Sequence, residues 1–363
     1  MTRRISIFTL VSFLTLACAT ADGARDRDRA RKDAMPAGTP TRYSSEAGPI
    51  PVGVIPDGSL RDAKRGRDVS FTVDYPTSAG PHPLIVFSHG YGANGHAYVG
   101  LSSHWASNGY VVIKPTHASD NSLRLADITP ADFRDRVADV KFVLDSLDAI
   151  EQSYPELKGK IDHAKIGVGG HSLGALTAML IAGVRTFPGG TSYADPRVKA
   201  VIAMSPQGPR ESWGLTKDSW SDVHIPVMYM TGDRDKGIDE SETPEWRREA
   251  FELSAPGDKW LVFIQGAGHL AFTGRLGVMP EDVRTRTEPT LPANPNALPP
   301  SVNPVPTESR TRTQVVGDPV RVVSGTIKAI SLGFWDAYVN GDTKGREFLD
   351  KAGERSGVEI KKK

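Results

Sequence analysis

Seven short apolar runs punctuate this chain, at about Val69 to Tyr75, Leu84 to Ser88, Tyr110 to Pro115, Lys165 to Gly169, Val198 to Ser205, Val227 to Thr231 and Trp260 to Ile264. They are too short to be helices and too continuously apolar to leave one face in water, so they read as strands buried on both sides. Helical patterns lie between and after them. Phe133, Val137, Val140, Leu144 and Leu147 recur at spacings of four and three and form one apolar stripe. The string LGALTAMLIAG after residue 172 is built of strong helix formers, and a last helix near Val322 to Val339 carries Ile327, Ile330, Phe334 and Tyr338 on one side. This alternation predicts an α/β fold, a mostly parallel central sheet with helices on both faces.

The 363 residues suffice for one large α/β body with tails and not for two. Arg3 and Arg4 precede an apolar run from Ile5 to Ala17, shorter than the roughly 20 residues a membrane span needs, so residues 1–18 read as a signal peptide for export. Cys18, the sole cysteine, ends that run in LTLAC, a string similar to the bacterial lipobox whose cysteine is lipidated. Thr15 stands where that pattern prefers Leu, Val or Ile, and Ala17-Cys18-Ala19 or Ala19-Thr20-Ala21 equally serve ordinary signal peptidase. The lone cysteine favours a lipid anchor to a membrane over plain secretion, and it excludes an intramolecular disulfide. Residues 19–51, with RDRDRARKD and almost nothing apolar, read as a disordered tether, and residues 52–354 as the folded body. Within the body, 280–320 carries nine prolines and little periodicity and reads as a surface excursion; 355–363 reads as a solvated basic tail. A formal charge of +1, about −1 without Arg3 and Arg4, argues against nucleic acid as a partner. A monomer is expected.

The string IGVGGHSLGALTAML sets Gly170-His171-Ser172-Leu173-Gly174 between an apolar strand and a helix. A serine on such a turn projects its hydroxyl clear of the backbone, and side chains two residues to either side would collide with strand and helix. Serine alone is a weak nucleophile. It needs a base to take its proton and an acid to orient that base. After Ser172 the histidines are His224 and His269, and the acidic loop Gly232-Asp233-Arg234-Asp235-Lys236-Gly237 lies between them. The glycine of that loop is misplaced for a calcium site, so no metal is expected there.

With YPTSAGPHPLIVFSHGYG, HWASNGYVV, RVADVKFVLDSL, GGHSLGA, GDRDKG, GAGHLAF and LGFWDAYVNGD in view, the chain resembles the α/β-hydrolase superfamily over about Gly53 to Leu349. Within it the chain is similar to bacterial esterases akin to platelet-activating-factor acetylhydrolases, chlorophyllases and predicted dienelactone hydrolases. True dienelactone hydrolases use a cysteine nucleophile, where this chain has Ser172. It also resembles bacterial cutinases at HGYG and GHS without their disulfide cysteines. The resemblance implies the α/β-hydrolase fold and the order serine, acid, histidine, which leaves His269 as base. It implies Asp235 as the acid, three residues past Gly232, with Asp233 as the alternative. Oxyanion donors would be the backbone amides of Leu173 and Tyr91, the latter in the His89-Gly90-Tyr91-Gly92 loop. The activity implied is hydrolysis of a carboxylic ester through an acyl-enzyme, on a small or lipid-like substrate, with no cofactor. A polyester hydrolase or amidase on the same residues, and a non-catalytic exported binding protein on the same scaffold, are the alternatives. The insertion PQGPRESWGLTKDSW is too short for a lid domain, and Trp105, Trp213 and Trp220 are candidates either to line the site or to pack.

Overall fold

A computed structural model of the chain describes residues 42–117, 129–237, 241–273 and 319–363. All of them fall in one compact unit, Arg42–Lys363. The strands are β1 (Val52–Asp62), β2 (Arg67–Pro76), β3 (His82–Ser88), β4 (Val111–Pro115), β5 (Ile161–His171), β6 (Val198–Met204), β7 (Val227–Arg234), β8 (Lys259–Gly268) and β9 (Val358–Lys362). The helices are α1 (Val99–Ser107), α2 (Pro130–Asp145), α3 (Leu147–Ser153), α4 (Leu173–Ala182), α5 (Pro244–Leu253), α6 (Pro319–Trp335) and α7 (Thr343–Ala352). The strands form one sheet in the order β1-β2-β4-β3-β5-β6-β7-β8-β9. Pairing is parallel from β4 through β8 and antiparallel at β1/β2, β2/β4 and β8/β9.

Strand residues alternate between two cores, as a period of two requires. Leu84 and Val86 of β3 join Val201 and Ala203 of β6 in the core beneath α2, α3, α4 and α5. Ile85, Phe87, Ile202 and Met204 face the other core, covered by α1, α6 and α7. The seven apolar runs are therefore β2 to β8, buried on both sides, and the α/β class stands as expected.

The periphery differs from expectation. Residues 42–51 are not part of a tether. Arg42 bonds the buried carboxylate of Asp336 through Nε at 2.5 Å and Nη2 at 2.8 Å, and Tyr43 stacks on Phe348 with ring centroids 4.3 Å apart. The charge on Arg42 hides an attachment whose partner is 294 residues away. The tail, though largely exposed, is not free: Val358–Lys362 pairs with β8 as an edge strand, and its lysines blunt that sheet edge. At the opposite edge β1 was missed because Gly53, Pro56 and Gly58 interrupt its pattern, which an edge strand with an irregular register between Ile55 and Gly58 tolerates. Helix α6 passes into a π turn at Asp336–Asn340, and α7 follows it, so the last helix is not the one ending at Val339. The stripe through Leu147 divides at Ser146 into α2 and α3. Trp105 and Trp220 are fully buried packing residues, and Trp213 packs edge-on against Phe133, with ring centroids 5.1 Å apart. None of the described helices is long and apolar enough to cross a membrane. The leader, Cys18 and the excursion at 280–318 lie outside the described residues.

Candidate active site

Strand β5 runs into Ser172 and α4 starts at the next residue, so the chain must turn within one residue. It does so with Ser172 at φ 55°, ψ −121°, a backbone conformation that side chains resist. The flanking glycines permit this. A Cβ on Gly170 would sit 2.1 Å from the Gly174 carbonyl oxygen, and one on Gly174 would sit 2.0 Å from that of Ser88. The Ser172 N–H donates to the Met204 carbonyl at 2.9 Å, which ties the turn to the end of β6.

His269 follows the last residue of β8. Its Nε2 lies 3.0 Å from Ser172 Oγ and its Nδ1 lies 2.9 Å from Asp235 Oδ1. Asp235 stands one residue past β7 and is fully buried. A carboxylate only accepts, so Nδ1 carries the proton and the Nε2 lone pair faces the serine hydroxyl. Asp235 Oδ2 accepts from Thr231 Oγ1 at 2.8 Å. Burial pushes the Asp235 carboxyl up, but the His269 hydrogen bond and the Arg247 charge outweigh it and leave the group below the usual carboxylate range. Asp233 points elsewhere. Its Oδ1 accepts from the Gly266 N–H at 2.5 Å and so staples the ends of β7 and β8 together. The fold thus brings Ser172, His269 and Asp235 together and leaves Asp233 out.

Leu173 opens α4, so its N–H has no acceptor within the helix. Tyr91 lies half-buried in the loop after β3 and packs on the same core as Leu173. That loop touches the turn directly, since a Cβ on Gly90 would come within 3.4 Å of the His171 carbonyl oxygen.

Three side chains that the sequence did not single out hold these loops together. The Tyr98 hydroxyl accepts from the Gly90 N–H at 3.0 Å and reaches His171 Nδ1 at 2.9 Å, while His171 Nε2 lies 2.9 Å from the His269 carbonyl. The set is self-consistent if Nε2 of His171 carries the proton and Nδ1 accepts from Tyr98. Burial, with the His269 ring adding to it, pushes the His171 imidazole down to about 3, so it stays neutral. Arg247, fully buried, donates from Nε to the Asp235 carbonyl at 3.0 Å and from Nη1 to the Ser205 and Pro206 carbonyls at 3.1 Å each. It also pairs with Asp235 Oδ1 at 3.1 Å and Glu242 at 3.2 Å. One signal for Arg247 was present: it shares the buried face of α5 with Pro244, Ala250 and Phe251, an arginine on an apolar stripe. Asp148 and Glu151 of α3 and His163 near the start of β5 are the cluster of metal-binding side-chain types among the described residues, at the opposite end of β5 from Ser172.

A mostly parallel sheet with a serine on a strained strand-to-helix turn after β5, a buried acid after β7 and a histidine after β8 defines an α/β-hydrolase. The chain has that fold and is similar to proteins of that superfamily. Residues 52–207 match the chlorophyllase family model. The chain is 27% identical over 201 residues to Cutinase est2 of Thermobifida alba, covering 55% of this chain and 57% of that protein. It is 24% identical over 232 residues to Chlorophyllase-1 of Arabidopsis thaliana, covering 61% and 60% respectively. The chain therefore spans a little over half the length of the curated relatives it matches. The family match ends before Asp235 and His269, so the grouping of those two with Ser172 rests on geometry.

Proposed function

We propose that this chain hydrolyses carboxylic esters through an acyl-enzyme. The carrying observation is the array Asp235, His269, Ser172, with its two contacts of 2.9 and 3.0 Å. His269 Nε2 takes the Ser172 proton as Oγ attacks the ester carbonyl carbon. The carbonyl electron pair moves to oxygen, facing the amides of Leu173 and Tyr91. On collapse, the imidazolium gives its proton to the leaving alcohol as the C–O bond breaks. Water then repeats the sequence and frees the acid and Ser172. Asp235 stays ionised throughout, which its position below the usual carboxylate range supports.

A second reading narrows the substrate to surfaces such as polyesters. The likeness to proteins named cutinases supports it, and so does Leu270, which is 47% exposed next to His269. On this proposal the body works outside the cytosol, tethered through a lipidated Cys18 or released. The test is a series of nitrophenyl esters from acetyl to palmitoyl, with an amide counterpart and a polyester film, run beside Ser172→Ala. Loss of turnover and of fluorophosphonate labelling in Ser172→Ala is expected. A fully active Ser172→Ala protein refutes the assignment.

A further inference from the structure

A second Ser-His-Asp array lies entirely inside the protein. Ser88 Oγ is 2.9 Å from His117 Nε2, and His117 Nδ1 is 2.9 Å from Asp139 Oδ2. Ser88 and Asp139 have no exposure and His117 has 1%, so no substrate reaches them. What the array touches is the loop that carries Tyr91. Ser88 is the last residue of β3. The next residue, His89, is gripped twice: its Nε2 accepts from the His117 N–H at 3.1 Å, and its carbonyl accepts from the Arg136 guanidinium. Its remaining nitrogen, Nδ1, donates to the Gly90 carbonyl at 2.7 Å.

Arg136 extends the grip to the turn itself. From α2 it donates to Ser88 Oγ at 3.3 Å and to Thr177 Oγ1 of α4 at 3.2 Å. Helix α4 already lies against the backbone of Ser88 and His89, where a Cβ on Gly174 would sit 2.0 and 2.7 Å from their carbonyl oxygens. At the far end, Asp139 accepts from Arg65 at 2.6 Å and from Arg67, so the β1–β2 hairpin closes the array. Burial, reinforced by the charge of Arg136, holds both His117 and His89 well below the ordinary histidine range. Neutral rings fit the tautomers that this hydrogen-bond pattern requires.

Resting on the proposed ester hydrolysis, we propose that Ser88, His117, Asp139 and Arg136 are positioning residues that set the oxyanion loop His89–Tyr91 against Ser172. Oxyanion donors act on the transition state more than on the bound ester, so misplacing one lowers kcat and spares KM. A displacement of about 1 Å at a reacting centre costs on the order of 100-fold.

The test uses the full-length protein and nitrophenyl acetate, with competent sites counted by fluorophosphonate titration. Asp139→Asn is expected to lower kcat per titrated site about 10- to 100-fold, with KM within about threefold and affinity for an alkylboronic acid weakened in proportion to kcat/KM. Ser88→Ala, which removes one hydroxyl and is the fallback if the first variant fails to fold, is expected to lower kcat on the order of fivefold by the same criteria. A merely structural role predicts fewer titratable sites and lower thermal stability, with wild-type kcat and boronate affinity at each remaining site. That result overturns the inference. A wild-type protein that neither labels at Ser172 nor cleaves any ester refutes the proposed function instead, and the inference falls with it.

Discussion

Replacing Ser172 by glycine should make the protein more stable than replacing it by alanine. Both variants lose the hydroxyl and its contact with His269, so comparing them isolates the backbone. At φ 55°, ψ −121° a residue with a Cβ carries a strain of about 1–3 kcal/mol, which glycine avoids. Against this, glycine costs about 0.5–1 kcal/mol of extra unfolded-chain entropy and loses the contacts of a partly buried methyl. The balance is about 1 kcal/mol in favour of glycine, or roughly 2 °C in Tm for a body of this size. Urea denaturation of Ser172→Gly and Ser172→Ala, both inactive, measures it. Ala178→Gly, in the interior of α4 and fully buried, is the control and should go the other way by about 1 kcal/mol or more. If Ser172→Gly is no more stable than Ser172→Ala, the strain assigned to the Ser172 backbone is refuted.

Asp235→Asn should lower ester turnover on the order of 10³- to 10⁴-fold by unsettling the His269 tautomer, whereas Asp233→Asn should leave it within about threefold; similar losses from both would place the acid wrongly. Stability should fall as pH drops from about 6.5 towards 4. Burial is the main cause that keeps His89 and His117 well below the ordinary histidine range and pushes His104 to about 4 and His171 to about 3. Folded, these rings stay neutral in that window while the unfolded chain binds protons, at about 1.4 kcal/mol per pH unit per proton. Denaturation curves that coincide at pH 6.5 and 5 would contradict this. Arg42→Ala leaves the buried Asp336 with Tyr110 as its hydroxyl partner and should cost about 1–3 kcal/mol, less than a fully buried pair because Arg42 is 39% exposed. Turnover at 25 °C should not change; an unaltered Tm would mean that residues 42–51 are not anchored.

The sequence by itself determined the parts whose signal is local. The seven inner strands announced themselves because each is apolar on both faces, and the turn at Ser172 because its glycines and helix formers are contiguous. His269 followed once a resemblance supplied the order of the three residues. Tertiary structure decided the rest, and for one reason: charged and polar groups carry no local mark of burial. Asp233 and Asp235 are equivalent in a string, yet Asp235 turns inward to His269 while Asp233 meets Gly266. Arg136 looks like a solvated helix residue, and Arg247 shows only as an arginine on an apolar stripe, until carbonyls and carboxylates from other elements satisfy them inside the core. Distant partners likewise decide Arg42, the edge strand at Val358–Lys362 and the second array, whose partners lie 22 to 294 residues apart. Water satisfies such groups as well as protein does in an unfolded chain, so only packing selects which of them go inside.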